Sequence, residues 1–295
     1  MGTAPIRYQS EDEDSARWTG FPFRDGDIVI STRSKSGTTW MQMICALLVF
    51  REPDLPAPLT ELSPWLDWRI RPLHEVIAQL DAQQHRRFVK THTPLDGLPI
   101  DARATYIVVA RDPRDVYVSL YHQGSNIDRE AVRMLLGQTA PTRADDEPER
   151  PDVHQALLSW IDRDSSPREE MDSIRGVLWH LSDAWQRRHE PNVVLVHYND
   201  LLTDLGSEMR RVAGILDIAV PEQTWPAVVE AATFEHMRHR ADRLVPTGVL
   251  KDVNDFFRRG RSGGWREILT AEQVAHYEGR VATLAPPDLL DWLHR

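Results

Sequence analysis

The stretch from Ile28 to Phe50 constrains this fold more than any other part of the chain. An apolar run, Ile28-Val29-Ile30, leads into Ser31-Thr-Arg-Ser-Lys-Ser-Gly-Thr-Thr-Trp40, and the helix-compatible segment Met41 to Phe50 follows. That order reads as strand, tight loop, helix. Such a loop points successive backbone N–H groups at one spot, at the positive end of a helix dipole. Lys35 adds a full charge, Ser36, Thr38 and Thr39 add hydroxyl donors, and Gly37 lets the backbone approach closely. The loop suits a phosphate-like anion.

The use of basic residues sharpens this. Of 35 lysines and arginines only Lys35, Lys90 and Lys251 are lysine, so a lysine marks a place where a compact point charge is wanted, unless lysine is simply depleted throughout. The formal charge of −10 argues against nucleic acid as a partner bound over a broad basic surface, and requires any anionic ligand to sit in a local basic pocket. The single cysteine, Cys45, excludes an intrachain disulfide framework and falls in the apolar helix as a core residue. The start of the chain is polar and acidic (Glu11-Asp-Glu-Asp14), unlike an export signal. Met41 to Phe50 is too short to span a bilayer. A cytoplasmic protein with no integral membrane contact is expected, with a mobile N-terminal tail over 1–15 and one domain over 16–295.

Strand and helix signals alternate along that domain. The pattern predicts strands at Arg87–Thr91, Ala104–Ala110 and Asn192–His197. It predicts helices at Leu73–Gln84, from Pro113 toward His122, and at Ile174–Arg188, Leu205–Leu216, Pro221–Ala231 and Ala271–Leu284. Asp112-Pro113 supplies an N-cap and a first-turn proline. The Pro-rich acidic text over 139–152 reads as a loop within the domain. The expected fold is α/β: a central parallel sheet flanked by helices on both faces, with ligands at the carboxyl ends of its strands.

The anion loop contains no Gly-Lys dipeptide, which disfavours a Walker-type kinase, and no Gly-x-Gly-x-x-Gly occurs, which disfavours a Rossmann dehydrogenase. Ser34-Lys-Ser-Gly-Thr-Thr-Trp40 resembles instead the 5′-phosphosulfate loop of the cytosolic-type sulfotransferases, which use 3′-phosphoadenosine-5′-phosphosulfate (PAPS) as donor. Three further segments resemble that family's motifs in the same order. Arg87-Phe-Val-Lys-Thr-His-Thr-Pro-Leu95 is similar to its Lys-x-His-x-Pro segment. Tyr106 to Ser119 is similar to its 3′-phosphate strand–loop–helix, and Phe256-Phe-Arg-Arg-Gly-Arg-Ser-Gly-Gly-Trp265 to its C-terminal Arg-Lys-Gly…Gly-Asp-Trp loop. The likeness runs from about Gly20 to Leu284 and is nearest to bacterial aryl and glycolipid sulfotransferases.

The resemblance implies roles. His92 is the general base, and its reference pKa of about 6.5 suits removal of a hydroxyl proton. Lys35 and the loop amides over Ser36, Gly37, Thr38 and Thr39 stabilise charge on the bridging oxygen of the donor. Lys90 holds the transferring sulfuryl oxygens. Ser119 contacts the 3′-phosphate with Arg111, and restrains Lys35 before the acceptor arrives. Arg258, Arg259 and Gly260 add phosphate ligands, and Trp40, Tyr198 and Phe234 surround the adenine. No metal is required, and no His-Glu-x-x-His occurs. Gly264 stands where the family has aspartate, and Arg259 where it has lysine. The family's Thr-Val dimerisation signature is not recognisable in Arg266–Ala271, which leaves oligomeric state open. Trp65, Leu66 and Trp68, with the segment 123–175, fall where relatives line the acceptor site, suggesting a small-molecule or lipid-like hydroxyl acceptor. Two other readings remain at this point: a nucleotide kinase and a non-catalytic nucleotide-binding protein.

Overall fold

A computed structural model describes residues 4–138 and 150–295. In chain order its strands and α-helices begin with β1 (Ile28–Ser31), α1 (Thr38–Phe50), α2 (Leu59–Leu62), α3 (Leu73–Ala82), β2 (Phe88–Thr91), β3 (Thr105–Ala110) and α4 (Pro113–Asn126). There follow α5 (Arg129–Leu135), α6 (Val153–Asp162), α7 (Ile174–Gln186), β4 (Val193–His197), α8 (Tyr198–Thr203) and α9 (Leu205–Ile215). The chain ends through α10 (Trp225–Ala231), α11 (Phe234–His239), α12 (Ala241–Leu244), α13 (Ala271–Val281) and α14 (Pro287–Leu293).

The four strands form one parallel sheet in the order β2-β1-β3-β4. Strand side chains alternate between two cores because the pleat has period two. Val29, Val89, Tyr106 and Val108 enter the core shared with α4, α6, α7 and α13. Ile28, Ile30, Phe88, Ile107 and Val109 enter the core shared with α1, α9 and α10. Burial on both faces explains why these strands read as continuous apolar runs. From β1 the chain crosses to β2 on one side and later returns to place β3 on the other. The switch point therefore lies between β1 and β3, and the crevice beyond their carboxyl ends is where such sheets bind ligands.

Local chemistry sets the element ends. Asp112 accepts from the Arg114 amide, and Pro113 opens α4. Gly37 caps α1 at φ 110°, a left-handed conformation open to glycine. The segment expected to form one helix from Pro221 divides into a 3₁₀ turn, Glu222–Thr224, and α10, with Pro226 in its first turn.

The N-terminal segment corrects the expectation of a mobile tail. Tyr8 is buried and its hydroxyl donates to Asp96 at 2.9 Å. The Ser15 amide donates to the Tyr8 carbonyl, and Glu13 bridges antiparallel to Trp68. Tyr8 and Trp18 supply the anchoring that the acidic text between them lacks. The acidic stretch 139–152 lies outside the described residues up to position 149. Among the described residues no helix is long and apolar enough to cross a membrane.

Candidate active site

One cavity of about 860 Å³ opens over the switch point. It collects Lys35, Gly37, Thr38, Thr39 and Trp40 from the β1–α1 loop and the start of α1, and Lys90 and His92 from the end of β2. Arg111 and Ser119 reach it from the β3–α4 unit, and Tyr198, Phe234, Arg258, Arg259 and Gly260 from the C-terminal half. Segments far apart in sequence thus share one wall. Ser36 is the exception: it is 3% exposed and off the wall, with its amide turned to the Arg33 carbonyl.

The loop is held open by its own backbone. Lys35 sits at φ 63°, uncommon for a residue with a Cβ, two positions before Gly37 at φ 110°. A methyl at Gly37 would meet the Tyr198 ring at 3.0 Å, so the loop packs directly under that ring. Thr38 is fastened below by a hydroxyl–hydroxyl bond to Thr32.

Cations crowd the crevice. Arg111 donates to the Lys35 carbonyl at 3.1 Å and to the Arg261 carbonyl at 3.1 Å, with its guanidinium over the Tyr198 ring. Its Nε is buried without a partner among the described residues. Burial, then Arg111, Lys90 and Arg258, pushes the Lys35 ammonium down to about 7. Burial and the neighbouring Arg259, Arg111 and Arg261 also lower Arg258. Like charges this close are costly unless an anion joins them. Arg259 is already paired, at 3.0 Å, with Glu267 on the surface, as is Arg261.

The Lys35 Nζ lies 3.2 Å from the Gln123 Oε1 and 3.9 Å from the centre of the Phe256 ring. Gln123, one α4 turn beyond Ser119, takes the ammonium here. On the same cavity, the Lys90 Nζ stands 3.9 Å over the Trp65 ring, and burial pushes it down to about 8. The same ring meets His92 edge-on at 4.6 Å.

His92 is clamped from several sides. Its Nδ1 contacts the Thr32 carbonyl, its amide donates to Asp67 at 3.2 Å, and its own carbonyl accepts from Arg33. A carbonyl oxygen can only accept, so Nδ1 carries the hydrogen and Nε2 keeps its lone pair. Burial, with Lys90 and Arg33 adding to it, holds the imidazolium form well below the usual histidine range. The ring is therefore neutral at pH 7.

Reading the sequence missed the supports of this site. Asp67 is fully buried and accepts from the Trp18 indole, the Thr91 hydroxyl and the His92 amide, which fixes the turn after β2. Arg33 is buried against Asp172 at 2.6 Å. Asp115 accepts from the Gly263 and Gly264 amides at 2.7 and 2.9 Å, fastening the Arg258–Gly260 turn to α4. Gly260, at φ 60°, lies flat on Phe234; a methyl there would stand 2.4 Å from the ring.

The sulfotransferase domain model matches residues 25–282. The chain belongs to the sulfotransferase family. It is 42% identical over 309 residues to the glycolipid sulfotransferase of Mycobacterium tuberculosis, covering 99% of this chain and 95% of that protein. It is also similar to sulfotransferase 1A1 of Rattus norvegicus, at 26% identity over 87% of this chain and 83% of the relative. Among solved structures, retinol dehydratase in a complex with retinol and PAP superposes with a TM-score of 0.67 at 22% identity, over 91% of this chain and 84% of that one. Mouse sulfotransferase SULT7A1 complexed with PAP gives 0.65 at 20%, over 91% and 87%. At those identities the structural likeness speaks to the fold, an α/β sheet with helices on both faces.

Proposed function

We propose that the chain transfers the sulfuryl group of PAPS to a hydroxyl of an amphiphilic acceptor, with adenosine 3′,5′-bisphosphate (PAP) as the leaving product. The observation that carries this reading is the single cavity joining the Lys35–Arg111–Arg258 cations to Lys90 and His92. The relative from Mycobacterium tuberculosis, a glycolipid sulfotransferase by name, supports a lipid-bearing acceptor.

The residues suit an anionic nucleotide. The β1–α1 loop offers amides and Lys35 to the 5′-phosphosulfate, while Arg111, Ser119 and Arg258 receive the 3′-phosphate. Trp40, Tyr198 and Phe234 flank the space between, where an adenine would stack. His92 Nε2 accepts the acceptor's hydroxyl proton as the acceptor oxygen bonds to sulfur. The bond from sulfur to the bridging phosphate oxygen breaks, and its electron pair stays with the bisphosphate. Lys35, drawn from Gln123, neutralises that oxygen, and Lys90 steadies the sulfuryl oxygens.

Two results check the donor site. An anionic ligand favours the protonated form of Lys35, whereas the empty site releases that proton at about 7. PAP affinity is therefore highest below this value and falls as pH rises through it. Calorimetry in buffers of different ionisation enthalpy should record proton uptake on binding at pH 8. Gly260→Ala should drive Phe234 out of place, read as weaker PAP binding with an unchanged circular-dichroism spectrum, while the overpacking itself costs about 1–3 kcal/mol of stability, read by thermal unfolding.

The direct test incubates the protein with ³⁵S-PAPS and a hydroxyl-bearing amphiphile. Labelled sulfate ester and PAP should appear in equal amounts. PAP release without labelled ester, or no turnover with phenol, sterol and glycolipid acceptors alike, would overturn the reading.

A further inference from the structure

Glu13 gives the cavity a group that sulfuryl transfer itself does not use. It is 8% exposed and lines the same wall as Lys90 and His92. Its Oε2 is buried with no hydrogen-bond partner among the described residues, a costly arrangement unless a ligand supplies one. Main-chain bonds hold it there. Glu13 bridges to Trp68, the Asp14 amide donates to the Asp67 carbonyl at 3.0 Å, and the Arg69 amide donates to the Asp12 carbonyl at 2.8 Å. Trp65 and Trp68 stack beside it at 4.9 Å and also line the cavity.

The surrounding charge selects the partner. Lys90 lines the same cavity and disfavours a cationic ligand, Asp12 disfavours an anionic head, and Arg33 and Asp172 neutralise one another as an ion pair. Burial pushes the Glu13 carboxyl up to about 8, against the pull of Arg33, so near neutral pH it often holds a proton and can donate as well as accept. A neutral hydroxyl meets all of these conditions. The attacking hydroxyl faces His92, so the one at Glu13 is another.

We infer that Glu13 is a specificity-determining residue that hydrogen-bonds a second hydroxyl of the acceptor, whose head is a neutral polyol of pyranose type set beside the Trp65–Trp68 pair. This rests on the sulfuryl-transfer reading above and narrows its acceptor.

The test compares two octyl-tailed probes, octyl β-D-glucopyranoside and 4-octylphenol, with ³⁵S-PAPS. Wild type should favour the glucoside in kcat/KM. In Glu13→Ala the glucoside-to-phenol ratio should fall roughly tenfold or more, the loss expected when a buried partner is removed. Glu13→Gln, which keeps the shape and one acceptor oxygen, should fall between. PAP calorimetry on each variant reports the donor site, and Glu13→Gln decides the matter if the alanine variant does not fold. An equal ratio in all three proteins, or a wild type that sulfates only the phenol, overturns the assignment of Glu13 and leaves sulfuryl transfer standing. Transfer to neither probe overturns the sulfuryl-transfer reading and the assignment with it.

Discussion

His92→Ala should reduce kcat for sulfuryl transfer by about 10²–10⁴-fold, the usual contribution of a positioned general base. Three features of the site underlie this expectation. The Thr32 carbonyl holds the hydrogen on Nδ1 and leaves the Nε2 lone pair free. Burial beside Lys90 and Arg33 keeps the ring neutral. His92 also lies on the cavity wall, beyond the loop that would receive the donor's phosphates. PAP affinity should therefore stay nearly unchanged, and calorimetry on the variant reads that directly. The acid limb of the kcat/KM profile should lie well below pH 6.5 in the wild type and disappear in the variant's residual activity. A variant that turns over normally would remove His92 from the chemistry. One that loses PAP binding to the same extent would make it a structural residue.

Lys35→Ala should damage both functions. Removing a preorganised charge from a developing oxyanion costs on the order of 10²–10³-fold in kcat, and the same ammonium meets the 5′-phosphate in the ground state, so PAP affinity falls too. Stability should not fall in parallel. In the empty protein burial and the charges of Arg111, Lys90 and Arg258 disfavour the Lys35 ammonium, and its removal relieves that cost, while the strain of φ 63° is common to lysine and alanine. Thermal unfolding of the ligand-free variant checks the fold, and steady-state kinetics with calorimetry check the two losses. A variant with full PAP affinity and reduced kcat would confine Lys35 to the transition state.

What the sequence made legible is what local chemistry determines. The apolar run of β1, the glycine and hydroxyls of the loop, and the Asp112 cap with Pro113 each carry their meaning within a few residues. They sufficed to place a parallel sheet and the loop at the carboxyl end of its first strand. The supports of the site were not legible because their meaning lies in distant partners. Arg33 acts through Asp172, Asp67 gathers Trp18, Thr91 and the His92 amide, and Asp115 grips the turn at Gly263 and Gly264. Glu13 was hidden differently. Its acidic neighbours read as a solvated tail, but Tyr8 and Trp18 pin the segment into the core on either side and carry Glu13 onto the cavity wall. α5 and α6 lay inside a stretch read only as acceptor-lining.

The central claim is that distant cations grip two anionic ends of one nucleotide, and calorimetry with three ligands tests it most directly. PAP, adenosine 5′-monophosphate and adenosine 3′-monophosphate differ only in which phosphates they carry. Charge-assisted hydrogen bonds contribute about 1.5–3 kcal/mol each, so removing either phosphate should weaken binding at least tenfold. Arg258→Ala should shrink the gap between PAP and the 5′-monophosphate and leave the gap to the 3′-monophosphate in place. Equal affinity for all three ligands, or no heat with PAP, would contradict the account.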